Sequence, residues 1–274
     1  MGIRFQGQAI CASGRITSPF HEIIEIQGAT ALPDTGGYGV DRVGPFRYRE
    51  IVRFERATAE VIGSITYKRD KPEQEEDVVY HTLAKATVEK LNIGDVVTAD
   101  RVVASVTARH PVKEGPTAIY ITGTQFENLQ IAGAPVSTTL ATDTLNRLNT
   151  LPAAMKAFPQ DQELQKLVSF FNAKDLASFA PRVRSQLNAP PTDGKLPQSR
   201  GFTNLSIVSS VAVERPPFEI YGNVIRVQGF GVITLGKMQM AETSRRITMI
   251  EVDLGCPVDG NTQNCCVDGG VIDW

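Results

Sequence analysis

The chain has 274 residues, of which 42% are hydrophobic, and a formal net charge of −2. This length suffices for one large or two small domains with a sizeable core, and the near-neutral charge gives no general reason to expect nucleic acid as a partner. No run approaches the roughly 18 apolar residues that a membrane-spanning helix needs, so we expect no membrane-spanning segment.

Strand-like segments fill the first 142 residues. A loop rich in glycine and proline at residues 32–45 is followed by a segment in which apolar and charged residues alternate. This period of two predicts one long strand with a single buried face over residues 46–68. Three further runs rich in valine, isoleucine, threonine and alanine follow between residues 78 and 140 and favour additional strands.

The pattern changes to helical spacing near residue 143, and three prolines divide the segment that follows into short helices. Asp161 is a candidate N-cap for one of them. The apolar residues of that helix recur at positions i, i+3, i+4 and i+7: Leu164, Leu167, Val168 and Phe171. We therefore expect a helical insertion over residues 143–187 whose apolar side packs on the β-rich part.

The insertion is followed by a linker at residues 188–200, and strand-like runs then resume. These observations predict a mainly β fold with long strands, arranged as a sandwich, a barrel or a solenoid. Residues 1–142 and 201–274 would form one β-rich domain, interrupted by the helices.

A six-residue phrase recurs four times, as VEKLNI from residue 88, FENLQI from 126, FTNLSI from 202 and LGKMQM from 235. Its fourth and sixth positions lie two apart and predict a buried stripe, whereas the third position, always Asn or Lys, is expected on the opposite face or at a bend. The near-regular spacing favours repeated β units of about one hairpin each. Chance recurrence in a β-rich chain is the alternative.

Three segments, GDVVTADRVVASVTAR, FENLQIAGAPVS and GVITLGKMQM with SRRITMIEVDLG, resemble the exported bacterial β-rich proteins called choice-of-anchor domains. The resemblance covers residues 86–140 and 230–255. It implies a surface or structural role and supplies no catalytic residue. The helical segment and the lack of a recognisable signal peptide depart from that family's pattern.

Glu50 is the first candidate for chemistry, because the alternating pattern puts it on the apolar face of the predicted strand. A buried carboxylate is costly unless it is paired. Glu50 is therefore half of a buried ion pair, a glutamate near solvent at a strand end, or a general acid or base working with a histidine such as His81. The arginines on the opposite face, Arg47, Arg49 and Arg53, would form either a site for an anionic partner or a solvated strand face.

The C-terminal segment holds three cysteines. Cys256 could form a disulfide with Cys265 or Cys266, and Cys11 could bond the remaining one; free thiols and a zinc site are the alternatives. The oxygen-rich residues Asp259, Asn261 and Asp268 are candidate calcium ligands, on the expectation that the segment is a loop. Disulfides favour an exported protein and the N-terminal sequence does not, so the compartment stays open.

These patterns predict a non-enzymatic structural or binding protein that self-associates as a homo-oligomer and needs no cofactor. The alternative is an isomerase or cyclase that uses Glu50 in the pocket of a β-barrel. An enclosed polar cavity around Glu50 would favour the enzyme, and a dry core would favour the structural protein.

Overall fold

The computed structural model describes residues 3–18, 21–67, 78–112, 116–181, 188, 195–197, 202–255 and 259–273. For residues 3, 18, 173, 259–261 and 265–273 the description covers the backbone. The predicted linker at residues 188–200 lies largely outside these ranges. No helix within them is long and apolar enough to cross a membrane.

Twenty strands and four helices follow one another in the described part of the chain. The strands before the helices are β1 (Ile3–Ser18), β2 (Glu22–Ala31), β3 (Gly37–Val43), β4 (Phe46–Tyr48), β5 (Val52–Phe54), β6 (Arg56–Tyr67), β7 (Val78–Ile93), β8 (Val97–Pro111), β9 (Ala118–Ile121), β10 (Gln125–Glu127), β11 (Gln130–Ile131), β12 (Ala134–Pro135) and β13 (Ser137–Leu140). The helices are α1 (Thr142–Arg147), α2 (Leu151–Ala157), α3 (Gln162–Ser169) and α4 (Ala173–Phe179). The later strands are β14 (Thr203–Ser206), β15 (Val208–Ala212), β16 (Glu219–Tyr221), β17 (Val224–Val227), β18 (Gly231–Met240), β19 (Ser244–Leu254) and β20 (Asp259–Asp273).

Two open antiparallel sheets form the body of the protein. The first has the strand order β16-β17-β18-β19-β20-β1-β2, with β14 paired to β18. The second is centred on the long β7–β8 hairpin and carries β3 to β6 and β9 to β12, while β13 and β15 pair separately. Strands β1, β19 and β20 pack across β6, β7 and β8, which is the face-to-face layering of a sandwich. The mainly β, long-stranded fold is thus confirmed.

The core between the sheets is built from small and β-branched side chains that alternate along the central strands. Alternate residues of β6, Ala57, Ala59 and Val61, are fully buried, and Ala84, Ala86 and Val88 of β7 share their environment. Small residues allow the two sheets to approach closely, and burial of this apolar surface is the main force that holds them together.

The helical insertion is confirmed, and it packs on the β-rich part as expected. The Asp161 side chain accepts a hydrogen bond from the Leu164 backbone nitrogen at 2.9 Å and caps α3. All four residues of the predicted apolar stripe are buried: Leu164, Leu167, Val168 and Phe171. Helix α3 contacts β14 and β15. Strands from both sides of the helical segment lie in the first sheet.

The single long strand predicted over residues 46–68 is wrong. The chain instead forms β4, turns at residues 49–51, returns as β5 and then continues as β6. Arg49 has a φ of 50°, in the left-handed region, and the Ile51 nitrogen donates to the Tyr48 oxygen at 3.1 Å. The hairpin is stabilised by the cross-strand pair of Phe46 and Phe54, whose stacked rings have centroids 5.2 Å apart.

The four copies of the repeated phrase line the core as predicted, but they do not each occupy one equivalent hairpin. The fourth and sixth positions are buried in every copy: Leu91, Ile93, Leu129, Ile131, Leu205, Ile207, Met238 and Met240. The first two copies lie on either side of β8, whereas the third copy, in β14, pairs with the fourth, in β18. The strand pairing therefore does not support the prediction of repeated β units.

Candidate functional site

A cleft of about 440 Å³ opens where the β4–β5 hairpin meets the end of β7 and the start of β8. The hairpin reaches this place because Val52 and Arg53 of β5 pair with Ile93 and Asn92 of β7. The lining combines aromatic, charged and amide side chains: Phe46, Arg47, Arg53, Phe54, Glu55, Lys90, Leu91, Asn92, Thr98, Ala99 and Asn128. This mixture is typical of a small-molecule site, in which apolar walls carry a few placed polar groups.

The apolar part of the cleft belongs to the main core. Phe54, Leu91 and Ala99 are buried, and Phe46 is partly buried against them. Phe46 therefore keeps part of its ring surface exposed at the cleft, and the Phe54 ring stacks against it. A supported aromatic ring offers a flat apolar contact surface without a large loss of side-chain freedom on binding.

One side of the cleft carries a network built around Asp95. The Asp95 Oδ1 atom accepts from Arg53 Nη2 at 2.6 Å and from Asn92 Nδ2 at 3.0 Å. The Asp95 backbone nitrogen returns a bond to Asn92 Oδ1 at 3.0 Å. Arg53 also lies 3.8 Å from the Glu50 carboxylate, which pairs with Arg47. These linked contacts fix the orientation of the Arg53 and Asn92 side chains.

The other side is centred on Asp100. Its two carboxylate oxygens accept separately from Lys90 Nζ at 2.7 Å and from Asn128 Nδ2 at 2.6 Å. The hydrogen bond from Asn128, followed by that from Lys90, lowers the pKa of Asp100, and the hydrogen bond to Asp100 raises the pKa of Lys90. Asp100 and Lys90 therefore stay oppositely charged over the whole neutral range.

The backbone around the cleft is unusual. Five non-glycine residues of the described chain have positive φ, and all lie in or beside this region: Arg49, Lys90, Asp95, Asn128 and Ala132. A left-handed conformation is costly for a residue with a Cβ atom, and such residues concentrate at functional sites. The conformation at Lys90 and Asn128 is the bend predicted for the third position of the repeated phrase.

Glu50 does not occupy the buried position that the alternating pattern predicted. It lies in the β4–β5 turn with its side chain 69% exposed and pairs with Arg47 and Arg53. His81 lies in the same β7 strand as Asn92 but eleven residues earlier, about 36 Å along an extended strand. Since Arg53 pairs with Asn92, Glu50 and His81 lie too far apart to serve one site, and the pairing of these two residues as acid and base is wrong.

His81 has a local role in the second sheet. Its Nε2 atom lies 2.8 Å from Thr66 Oγ1 on the neighbouring strand. Partial burial, followed by the nearby positive charge of Arg109, lowers the pKa of His81 below its usual 6.5. Both effects disfavour the protonated imidazole in the folded state.

This shift predicts a pH dependence of stability. Below pH 6.5 the unfolded chain binds a proton at His81 more readily than the folded chain, so the free energy of unfolding should fall as the pH drops through that value. Urea denaturation at pH 7.5, 6.5 and 5.5 measures the effect, and His81→Gln should show a shallower slope than the wild type. Equal slopes for the two proteins would contradict the assignment.

Each of the three arginines that were interpreted as an anion site or a solvated strand face forms an ion pair with a carboxylate. Arg47 pairs with Glu50, Arg49 with Glu22, and Arg53 with Asp95. The pairs are largely exposed, where ion pairs add little to stability, but they neutralise the local positive charge. The hairpin is therefore a charge-balanced surface and not a cationic one.

The predicted calcium ligands are not in a loop. Asp259, Asn261 and Asp268 belong to β20, which pairs with β1 on one side and β19 on the other. Asp259 and Asp268 are nine residues apart, about 30 Å along a strand, whereas calcium ligands lie about 2.3–2.6 Å from one shared ion. The described residues contain no group of three or more acidic, histidine or cysteine side chains that could hold a metal ion.

The cysteine predictions fall partly outside the structure. Cys256 lies outside the described residues, while the backbones of Cys265 and Cys266 lie in β20. Ile10 pairs with Cys266 and Ala12 with Asn264, so the backbone of Cys265 runs opposite Cys11. No disulfide occurs among residues whose side chains are described, and the buried Cys11 thiol donates to the Thr87 oxygen at 3.6 Å. The pairing of Cys256 stays a prediction.

The cleft itself was not found by sequence reasoning. Its key polar residues, Lys90 and Asn128, are the third positions of the first two repeated phrases, where a polar residue interrupts an apolar pattern. The same position in the fourth copy, Lys237, forms a buried ion pair with Glu251, and in the third copy Asn204 accepts from Gln239 at 3.3 Å. The recurring Asn or Lys at the third position was therefore the sequence feature that could have indicated the cleft.

Comparison with known proteins gives a family but no activity. No curated protein matches the chain, and no solved structure matches it. A family of proteins matches residues 4–241, most of the chain, including the cleft and the helical insertion. The chain belongs to this family, which is described as a domain of unknown function, DUF8256.

Proposed function

We propose that the protein is a non-enzymatic structural or binding protein that self-associates through an apolar strip on β2 and β3. The supporting observation is the distribution of exposed apolar side chains. Seven large ones are exposed in the described chain, and four of them lie on these two neighbouring strands: Ile23, Ile26, Tyr38 and Val40. Ile65 and Tyr67 of β6 lie on the other face of the second sheet, because Ile65 is opposite Tyr80, which packs on Phe5, whereas Tyr38 is opposite Ile62. Single exposed apolar residues are ordinary, but a concentration of this kind is typical of an interaction surface.

The strip runs along the seam between the two sheets. Strand β3 pairs with β6, and β2 passes beside β3 and β4, where the Ala29 nitrogen donates to Asp41 Oδ2 at 2.9 Å and Tyr48 Oη donates to Glu22. These contacts put the isoleucines of β2 towards one end of the strip and Tyr38 towards the other. A two-fold axis through the strip would therefore place the aliphatic end of one copy against the aromatic end of the next.

The exposed area suits a second copy of the chain as the occupant. The four exposed side chains present roughly 400 Å² per copy, so two copies would bury about 800 Å² of apolar surface, and the polar residues around the strip would supply the rest of a specific interface. Such an interface predicts a dimer of moderate affinity that is sensitive to a single charge. The catalytic alternative has no comparable support, since its proposed acid and base are far apart.

The test is the mass of the protein in solution, measured by sedimentation over protein concentrations from 1 to 200 µM. We expect a concentration-dependent rise from 29.8 kDa towards twice that mass. The double variant Ile23→Lys with Tyr38→Lys should remain monomeric, because two buried ammonium groups in each copy would face an apolar partner surface.

Met155→Lys provides the matched control, because Met155 is an exposed apolar residue that lies away from the strip, on α2. This variant should dimerise like the wild type, and the circular dichroism spectra of all three proteins should agree. A wild type that stays monomeric at 200 µM, or a double variant that still dimerises, would contradict the proposal.

A further inference from the structure

We propose that the cleft between the β4–β5 hairpin and the ends of β7 and β8 binds a neutral, polyhydroxylated ligand of the sugar class. None of its lining residues belongs to the apolar strip, so this inference is independent of self-association. The cleft combines a supported aromatic surface with two fixed polar networks, one around Asp95 and one around Asp100.

The charges favour a neutral ligand over an anion. Each cation that lines the cleft is already paired: Arg47 with Glu50, Arg53 with Asp95, and Lys90 with Asp100. Glu55 adds a further negative charge to the lining. The paired carboxylates offset the positive charge that would attract an anionic ligand, and the guanidinium and ammonium groups would repel a cationic one.

The hydrogen-bonding groups suit hydroxyls. The Glu55 carboxylate lines the cleft as an acceptor. Lys90 and the amides of Asn92 and Asn128 retain donors after making the observed bonds, and the Thr98 hydroxyl can both donate and accept. A sugar hydroxyl both donates and accepts hydrogen bonds. Closely spaced donors and acceptors therefore bind it better than they bind a group that can only donate or only accept. The partly open Phe46 ring complements the apolar C–H face of a pyranose.

The cleft is also organised before any ligand arrives. Asp100 holds Lys90 and Asn128 in place from both sides, and their left-handed backbones bring both side chains to the same carboxylate. Groups fixed in advance lose little conformational freedom on binding. The volume of about 440 Å³ is large enough for one or two sugar rings.

The experiment is titration by isothermal calorimetry and saturation-transfer NMR with glucose, galactose, mannose, N-acetylglucosamine, maltose and cellobiose. For a cleft of this size we expect at least one of these to bind with a Kd of about 1 mM. Because the ligand is uncharged, that Kd should change less than about twofold between 50 and 500 mM NaCl. Galacturonate and inorganic phosphate serve as anionic probes.

Two variants test the cleft itself. Asn128→Gly keeps the left-handed backbone and removes the amide, and Phe46→Ala removes the aromatic surface; each should weaken binding at least about tenfold. Ala132→Gly, at another left-handed position that does not line the cleft, should bind as the wild type does. Thermal melts confirm that each protein is folded, and Asn128→Gly remains informative if Phe46→Ala is unstable.

Three results would overturn the proposal. The first is the absence of saturable binding by every neutral sugar up to 50 mM. The second is binding of phosphate or galacturonate in preference to the neutral sugars, with an affinity that falls as salt rises. The third is sugar binding that Asn128→Gly leaves unchanged, which would place the ligand elsewhere on the protein.

Discussion

Replacing Phe171 with aspartate should leave most of the protein unfolded at 25 °C. Phe171 is fully buried against Leu176, Ala180 and Val224, between the helical insertion and the first sheet. Removing a buried phenylalanine side chain costs about 3–5 kcal/mol, and an unpaired carboxylate in its place adds a further penalty. The sum is comparable with the total stability of a domain, about 5–15 kcal/mol.

Thermal and urea denaturation followed by circular dichroism measure this effect. Phe171→Leu should be destabilised by a smaller amount, because it keeps most of the apolar volume. Met155→Asp, on the exposed side of α2, should melt within a few degrees of the wild type. A Phe171→Asp protein with an unchanged melting temperature would mean that the helical segment contributes nothing to the stability of the β-rich part.

The second large effect is expected at the ion pair between Lys237 and Glu251. These side chains are only 10% and 5% exposed and bond each other within the first sheet. The Glu251 carboxylate also lies 3.5 Å from Gln263 Nε2. Removing one partner of a buried pair leaves an uncompensated charge and costs about 3–5 kcal/mol. We therefore expect Lys237→Met and Glu251→Leu each to lower the free energy of unfolding by several kcal/mol.

The double variant Lys237→Met with Glu251→Leu separates charge burial from packing. Replacing a buried pair by apolar residues of similar size is often neutral or stabilising, so this protein should be more stable than either single variant. The exposed pair Arg56–Glu89 supplies the control, and Arg56→Ala should cost less than about 1 kcal/mol. Additive effects of the two substitutions at Lys237 and Glu251 would show that the pair is not coupled.

The helical segment was predictable because its signals are local. The spacing of Leu164, Leu167, Val168 and Phe171 reports one face of a helix, and Asp161 caps the helix through contacts only three residues away. Neither feature depends on which strands the helix eventually contacts. The buried stripe therefore follows from the pattern alone.

The β4–β5 hairpin shows why the alternating pattern alone predicted one long strand. Phe46 pairs with Phe54 and Tyr48 with Val52, so residues of the same parity face the same side before and after the turn. A period of two is therefore identical for one long strand and for a hairpin with this register. Only Glu50 differs, because it sits at the turn, where parity no longer determines the direction of a side chain.

The loop predicted for the C-terminal segment is wrong for a different reason. Its glycines and polar residues give little apolar periodicity, and we expected a loop ordered by a disulfide. Strand β20 is instead ordered by ladders on both edges, with β19 and β1. Pairing with a strand near residue 10 leaves no trace in the local sequence, and the same holds for the convergence of Lys90 and Asn128 on Asp100.

The position of β20 has a consequence for how the protein is made. Ile3 pairs with Asp273 and Ser18 with Asp259, so this ladder joins residues 241 to 270 positions apart. A ribosome adds about 5–20 residues per second, and β1 therefore waits roughly 12 to 50 seconds before its second neighbour emerges. During that interval one edge of β1 exposes unpaired backbone groups to any passing strand. The nascent chain is most vulnerable to misassembly until β20 has been synthesised, and a chaperone that covers this edge would act at that stage.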